Sequence, residues 1–297
     1  MQNRVIMAVL AASAGWGLAG VGVRAAYGAG ATTLPLLTFR SLTAVAALVV
    51  ATLAWQTRPP RRAWIDGSII GVFRVGLSPM MFMASLNFIS AGVEGLIVTL
   101  IPATTAILAA LIIREHVSGR QVAGLVIGLV GTALIALNGD SGLGPDGNAS
   151  LGFLFGLGGV VAAAYSGVLQ RKFAPHHDTV HLALPMFVSG TVVAIVVGSI
   201  IGFDGVSSYS GTLWLLIVAL GLGATLLPFG LTLYASKHAT ATMVSITAYI
   251  APLVAVVVGV LVLDERITPA IVFGAALALV GVGLVGKKRS PLPAPAA

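Results

Sequence analysis

Long apolar runs alternate with short polar breaks along the whole chain of 297 residues. Ten runs stand out, at 4–24, 33–55, 66–87, 92–113, 119–137, 151–171, 181–201, 211–234, 241–263 and 268–286. Each is roughly 20 residues long, enough for a helix to cross about 30 Å of hydrocarbon. Strands of a membrane barrel would alternate polar and apolar positions over about 10 residues. These runs do not alternate, so the pattern predicts helices, whose backbone groups pair within their own segment. The stretch Asn138 to Ser150 is rich in Gly, Asp and Pro and reads as a linker. The tail from Ser290 is proline-rich and reads as disordered.

The breaks and irregularities recur. Pro35 pairs with Pro185, Pro79 with Pro228 and Pro102 with Pro252, at separations of 149 to 150 residues. Gly124 answers Gly274, Gly131 answers Gly281, and Arg114-Glu115-His116 answers Asp264-Glu265-Arg266. A constant period of this kind indicates duplication. The expected organisation is a first five-helix repeat over 1–140, an extracytoplasmic linker over 141–150, a second five-helix repeat over 151–289, and a tail over 290–297. An odd number of spans per copy threads the second copy through the membrane in the opposite sense. Two inverted five-helix repeats around a central cavity are the layout of a secondary transporter.

Composition agrees with the pattern. Charged residues are 8% of the chain and hydrophobic residues 58%, whereas a soluble domain carries about 25% charged residues. The net charge of +7 is scattered among short loops, which argues for membrane orientation and against nucleic acid. With the N-terminus inside, twelve of the sixteen Lys and Arg residues fall on inner segments. Outer ends hold only Arg24 and Arg266, and Arg40 and Arg74 remain within spans. Both termini are therefore expected in the cytoplasm. There is no cysteine, which removes disulfides and thiol chemistry. The first run, behind Arg4, is long, Gly-rich and followed by nine others, and reads as a retained span.

With these features assembled, the chain resembles the EamA-type branch of the drug/metabolite transporter superfamily over essentially its whole length. The likeness is carried by Gly221, Tyr234, Pro252, the Leu263-Asp264-Glu265-Arg266 turn and Gly274. The first half repeats it as Pro102, Glu115 and Gly124, with Trp16-Gly17 and Phe39-Arg40 also in place. The resemblance implies ten helices, a central cavity, a bacterial inner-membrane location, and export or exchange of small metabolites such as amino acids.

Arg74 lies about eight residues into the third run, roughly 12 Å deep at 1.5 Å per residue. A charge there costs at least about 2.5–3.5 kcal/mol and must face protein or water. It either clamps a substrate carboxylate or phosphate, or forms a structural ion pair, for which Glu94 is the well-placed acid. Ser78, Met81 and Ser85 follow it on one soft, polar face. Arg40 lies about seven residues into the second run and is a further substrate-contact candidate, while Arg24 is placed to snorkel to the interface. Pro102 and Pro252 deprive the carbonyls of Val98 and Ala248 of their helical partners. Thr99 and Thr247 sit beside those gaps. Pro79, Pro102, Pro228 and Pro252 are candidate hinges. Thr242, Ser245, Tyr249 and Pro252 share one helical stripe. Trp16 and Tyr165 match across the repeat and either floor the pocket or fill the core. Ser13, Gly17 and Gly20 suit a close-packed seam. The cavity-lining candidates are thus Trp16, Arg40, Arg74, Ser78, Met81, Thr99, Tyr165, Ser245 and Tyr249. His176, His177 and His181, with Asp178, have the composition of a metal site but read as solvated loop residues, so no metal is expected. Glu115 and Glu265 read as caps or gates.

An intramembrane enzyme would need paired catalytic groups, and the spans hold no HExxH and no GxSxG. A channel fits a duplicated fold with kinked helices less well than a rocking carrier. No phosphate-binding loop is present, and no cofactor is expected. The expected partners are a small-molecule substrate and the lipid bilayer, with the protein a monomer or weak homodimer. Proton coupling would favour an acid or His at mid-depth. Glu94 lies near the end of its run, so facilitated exchange or uniport-like efflux is the expectation.

Overall fold

The computed structural model describes residues 2–56, 58–114, 148–173, 176–177, 179–238 and 269–286, with shorter stretches among 119–131 and 251–262. No strand occurs among them. Helix α1 (Gln2–Gly28) runs four residues past the expected end at Arg24. It stops where the backbone turns left-handed at Gly30, φ 92°. Gly30 N donates to Tyr27 O and Ala31 N to Ala26 O, each at 2.9 Å. These two bonds close the last turn and satisfy carbonyls the helix leaves free. Helix α2 (Thr33–Ala54) follows directly.

The third run forms one long helical element with a widened middle. It consists of α3 (Arg61–Gly71), a π segment π1 (Val72–Leu77) and α4 (Ser78–Ser85). Pro79 explains the widening, because it has no N–H to offer the Val75 carbonyl and its ring crowds that carbonyl. The chain responds by shifting register, with Ser78 N bonding five residues back to Phe73 O. After α7 (Ala149–Phe173) and α8 (Thr179–Ile201), the second half does the same thing. Helix α9 (Gly211–Gly221), π2 (Leu222–Leu226) and α10 (Leu227–His238) succeed one another. Leu227 N there bonds to Leu222 O, directly before Pro228. Val72 and Leu222 open the two π segments at the repeat spacing of 150 residues.

The fourth run departs from expectation. It is not one helix kinked at Pro102 but two short helices, α5 (Ala91–Val98) and α6 (Ile101–Ile113). The joint is a tight turn in which Thr99 N bonds to Leu96 O at 3.1 Å and Leu100 N to Ile97 O at 3.0 Å. The cause is again proline, now in the first turn of α6, where a missing N–H does no harm. A proline that bends a long helix thus starts a new one here. Helix α11 (Pro269–Gly286) closes the described chain. The expected fifth and ninth runs fall largely outside the described residues. So do the linker, Thr242, Ser245, Thr247, Tyr249, Pro252, Asp178, Glu115 and Glu265.

Six described stretches are long and apolar enough to cross a membrane: Ile6–Gly28, Thr33–Ala54, Arg61–Ser85, Ala149–Gln170, His181–Ile201 and Gly211–Thr232. Large apolar side chains such as Leu53, Ile200, Ile201 and Leu215 point outward, as lipid allows. Lipid also removes the hydrophobic drive between helices, so close packing has to hold them together. The packing crosses from one half to the other: α3 and α2 lie on α8, α4 on α7, and α1 on α10. At the α3–α8 crossing Gly71 has no room for a methyl group, which would meet the Met186 carbonyl and the Ser189 hydroxyl. Around that crossing Ile70, Leu182, Met186 and Phe187 are fully buried. Gly71→Ala is expected to lower the thermal midpoint of detergent-solubilised protein, at a cost of about 1–3 kcal/mol from overpacking. Gly28→Ala, with open space around it, is the control and should leave the midpoint in place.

Candidate functional site

A cavity of about 300 Å³ lies between these helices, with walls from both halves of the chain. Helix α1 contributes Trp16, Gly17, Gly20 and Val23, and α2 contributes Arg40 and Ser41. Arg74, Val75, Ser78, Pro79, Phe82, Met83 and Leu86 come from π1 and α4, and Glu94, Gly95 and Val98 from α5. The second half adds Ala163, Phe187, Ala224, Thr225, Phe229 and Thr232. Both π segments reach this wall, as does Val98, the last residue of α5. The helices are irregular where they meet the cavity.

Among the described residues three charged side chains face the hollow, and all three come from the first half. Arg40 is 6% exposed and its Nε has no hydrogen-bond partner. Arg74, thirteen residues beyond the start of α3, is about 20 Å along that element at 1.5 Å per residue. Glu94 is 9% exposed. The Arg74–Glu94 ion pair weighed from the sequence does not form. The ion pair among the described residues is elsewhere, between His177 Nε2 and Asp66 Oδ2 at 2.6 Å. An isolated charge away from water is costly, and native structures normally pair it. Among the described residues, two guanidiniums and a carboxylate are nonetheless left unpaired around one cavity.

The remaining surface is largely apolar. Phe187 and Phe229 meet edge to face with centroids 5.4 Å apart. The hydroxyl of Thr225 is tied back to Leu220 O at 2.9 Å. Beyond Leu86, polar side chains bond across the helix ends. Tyr27 donates to Met83 O at 2.6 Å and Asn87 to Thr33 Oγ1 at 3.1 Å. Arg24 does not snorkel as expected: its Nη1 donates to Ile89 O at 2.7 Å, holding α1 against the turn that opens α5.

Of the residues singled out by sequence, Trp16, Arg40, Arg74, Ser78 and Pro79 meet at the cavity. Three others lie outside its walls. Met81, on the other side of α4, turns towards Gly158 of α7. Thr99 is buried, with its hydroxyl bonded to Leu96 O at 2.6 Å. Tyr165 packs edge to face on Phe73 at 4.7 Å, in the apolar cluster behind the cavity. Pro228 lies against Gly15. His177 is not a solvated loop residue, since its side chain is 6% exposed and paired with Asp66. No group of three potential metal ligands occurs among the described residues. Sequence reasoning missed Ser41, Phe187, Phe229 and Thr225, and it weighed Glu94 without putting it on the cavity wall. The rule applied to Trp16, that an aromatic ring away from the membrane interface must pack inward, would have found both phenylalanines.

Long apolar helices around a charge-lined hollow define a multi-pass membrane transporter. The chain belongs to the EamA-like transporter family, whose model matches it twice, over residues 3–137 and 150–287. It is 25% identical over 226 residues to an uncharacterized transporter of Archaeoglobus fulgidus, covering 74% of this chain and 76% of that one. It is 27% identical over 269 residues to the uncharacterized transporter YdfC of Bacillus subtilis, covering 90% and 86%. A solved crystal structure with 21% identity superposes with a TM-score of 0.63 over 94% of both chains, which shows the shared fold.

An unpaired buried charge has no structural work to do, and removing it relieves a desolvation cost. Arg40→Met and Arg74→Met are therefore each expected to hold or raise the thermal midpoint of the purified protein. A clear fall in either midpoint would make that arginine a structural element.

Proposed function

We propose that the chain is a secondary transporter that exports or exchanges a small polar metabolite bearing an anionic group, such as an amino acid, by alternating access. The carrying observation is the pair of guanidiniums, Arg40 and Arg74, unpaired among the described residues, on one cavity between the two family-matched stretches. A carboxylate entering the cavity gains a fork of parallel hydrogen bonds, a geometry lysine cannot reproduce. Ten helices in two oppositely threaded copies would let the two halves rock about that site and expose it to each side in turn. Pro79 and Pro228, directly after the widened turns, and Pro102 and Pro252 are the proposed flexing points. The proposed setting is a bacterial inner membrane with both termini in the cytoplasm, on the strength of the Lys and Arg bias.

The direct test is a thermal-shift screen of purified protein against amino acids, nucleosides, sugars and organic acids. A ligand at about 100 times its Kd stabilises the folded form by about 2.7 kcal/mol. The shift is expected with compounds carrying a carboxylate and should be absent with neutral sugars. A shift by sugars alone would refute the reading. In proteoliposomes loaded with the ligand so found, Arg74→Ala is expected to abolish uptake while the protein stays folded. Arg74→Lys should retain a small fraction of it, and full uptake by Arg74→Ala would assign the residue to structure.

A further inference from the structure

We infer that Glu94 is a proton-exchange site in the cavity, where a proton and a cationic group of the substrate compete, so that transport is coupled to proton movement. This rests on the proposed transport function and departs from the facilitated exchange expected of the sequence. That expectation placed Glu94 at the end of a long helix, near the membrane face. The structure puts Glu94, in the first turn of α5, on the cavity wall beside Gly20 of α1. A methyl group on Gly20 would lie only 3.5 Å from Glu94 Oε2.

The carboxylate has no role in holding α5. The cap is supplied by Ser90, whose hydroxyl accepts from Val93 N at 3.2 Å, and Glu94 stands one residue beyond the position a capping box would use. The groups around it are few. On α1, Arg24 is engaged with Ile89 O, and Tyr27 with Met83 O. On α7, Tyr165 is packed on Phe73. Helix α11 carries no titratable residue. Arg40 and Arg74 share the cavity without an ion pair to Glu94 among the described residues. An ionised carboxylate so buried is costly until something positive joins it; no cation among the described residues pairs with it, which leaves a proton or an entering cation. When a substrate ammonium arrives, the Oε–H bond breaks, the proton passes to cavity water and the ammonium takes its place. The reverse exchange reloads the proton as the substrate leaves. A substrate with both charges is then held at one end by Arg40 and Arg74 and at the other by Glu94.

The test has two arms. Infrared difference spectra of the reconstituted protein between about pH 5 and about pH 9 are expected to contain a protonated-carboxyl band that disappears in Glu94→Gln. Spectra identical in the two proteins overturn the proposal. In the second arm, proteoliposomes are offered a mixture of radiolabelled L-amino acids. A gradient of about one pH unit should drive about tenfold accumulation by the wild type. Glu94→Gln should lose that accumulation, and accumulation by Glu94→Gln equal to that of the wild type overturns the proposal. Wild-type transport indifferent to the gradient overturns the proton coupling and leaves the transporter reading intact. If the infrared band is present but no amino acid moves, the proton site stands and the substrate class proposed above falls.

Discussion

Lipid offers no hydrogen bonds, so every polar group inside the membrane must find a partner within the protein or keep paying for its isolation. Most of this molecule obeys that constraint closely. Hydroxyls bond back to their own helices, as Ser13 does to Val9 O and Thr191 to Phe187 O. Tyr27, Asn87 and Arg24 find carbonyls or hydroxyls across helix ends. Against that background the charged exceptions among the described residues are informative, because Arg40, Arg74 and Glu94 all face the same hollow, whereas the one buried hydroxyl without a partner there, on Thr38, lies off it.

The same constraint accounts for the backbone. A proline inside a membrane helix strands a carbonyl, and the chain has resolved this in two different ways. At Pro79 and Pro228 it widens one turn and continues, so that a single long element carries a change of register. At Pro102 it ends one helix and begins another, and the short α5 so delimited lines the cavity with Glu94, Gly95 and Val98. The irregular turns are thus what bring Arg74, Val75, Val98 and Ala224 to the cavity, and straight helices would carry these groups past it.

Much of this was legible from residue order. The expected runs end within a few residues of α2, α8 and α11, because lipid-facing helices are delimited by the charges that cannot enter. Arg74 and Arg40 were readable because a charge in an apolar run has so few acceptable destinations. Met81 was misplaced because helical spacing from Arg74 assumed a uniform turn of 3.6 residues, and the π segment adds to that turn and rotates everything after it. Tyr165 was left open between pocket and core, since a ring with an inward direction satisfies both, and Phe73 settles its neighbour. Glu94 was read as lying near the end of its run, and it does stand in the first turn of α5; that this turn also borders the cavity is a matter of packing that counting along one run does not reach. Local pattern gives the elements well, and it fails where an element departs from its own geometry.

The duplication is one of fold and not of chemistry. Between residues 151 and 236 and again between 238 and 263, the second copy holds no Glu and no Lys or Arg apart from Arg171 and Lys172, and its two Asp residues there, Asp178 and Asp204, fall outside the expected runs. The residue 150 positions after Arg40 is Gly190, and the one after Arg74 is Ala224. Two identical chains paired about a twofold axis would be obliged to present every charge twice, and could not tell one end of a guest from the other. Fusing the copies into one polypeptide lifted that obligation. One copy was free to acquire the poles while the other kept the smooth wall, and an asymmetric guest can then lie in a single orientation within a nearly symmetric frame.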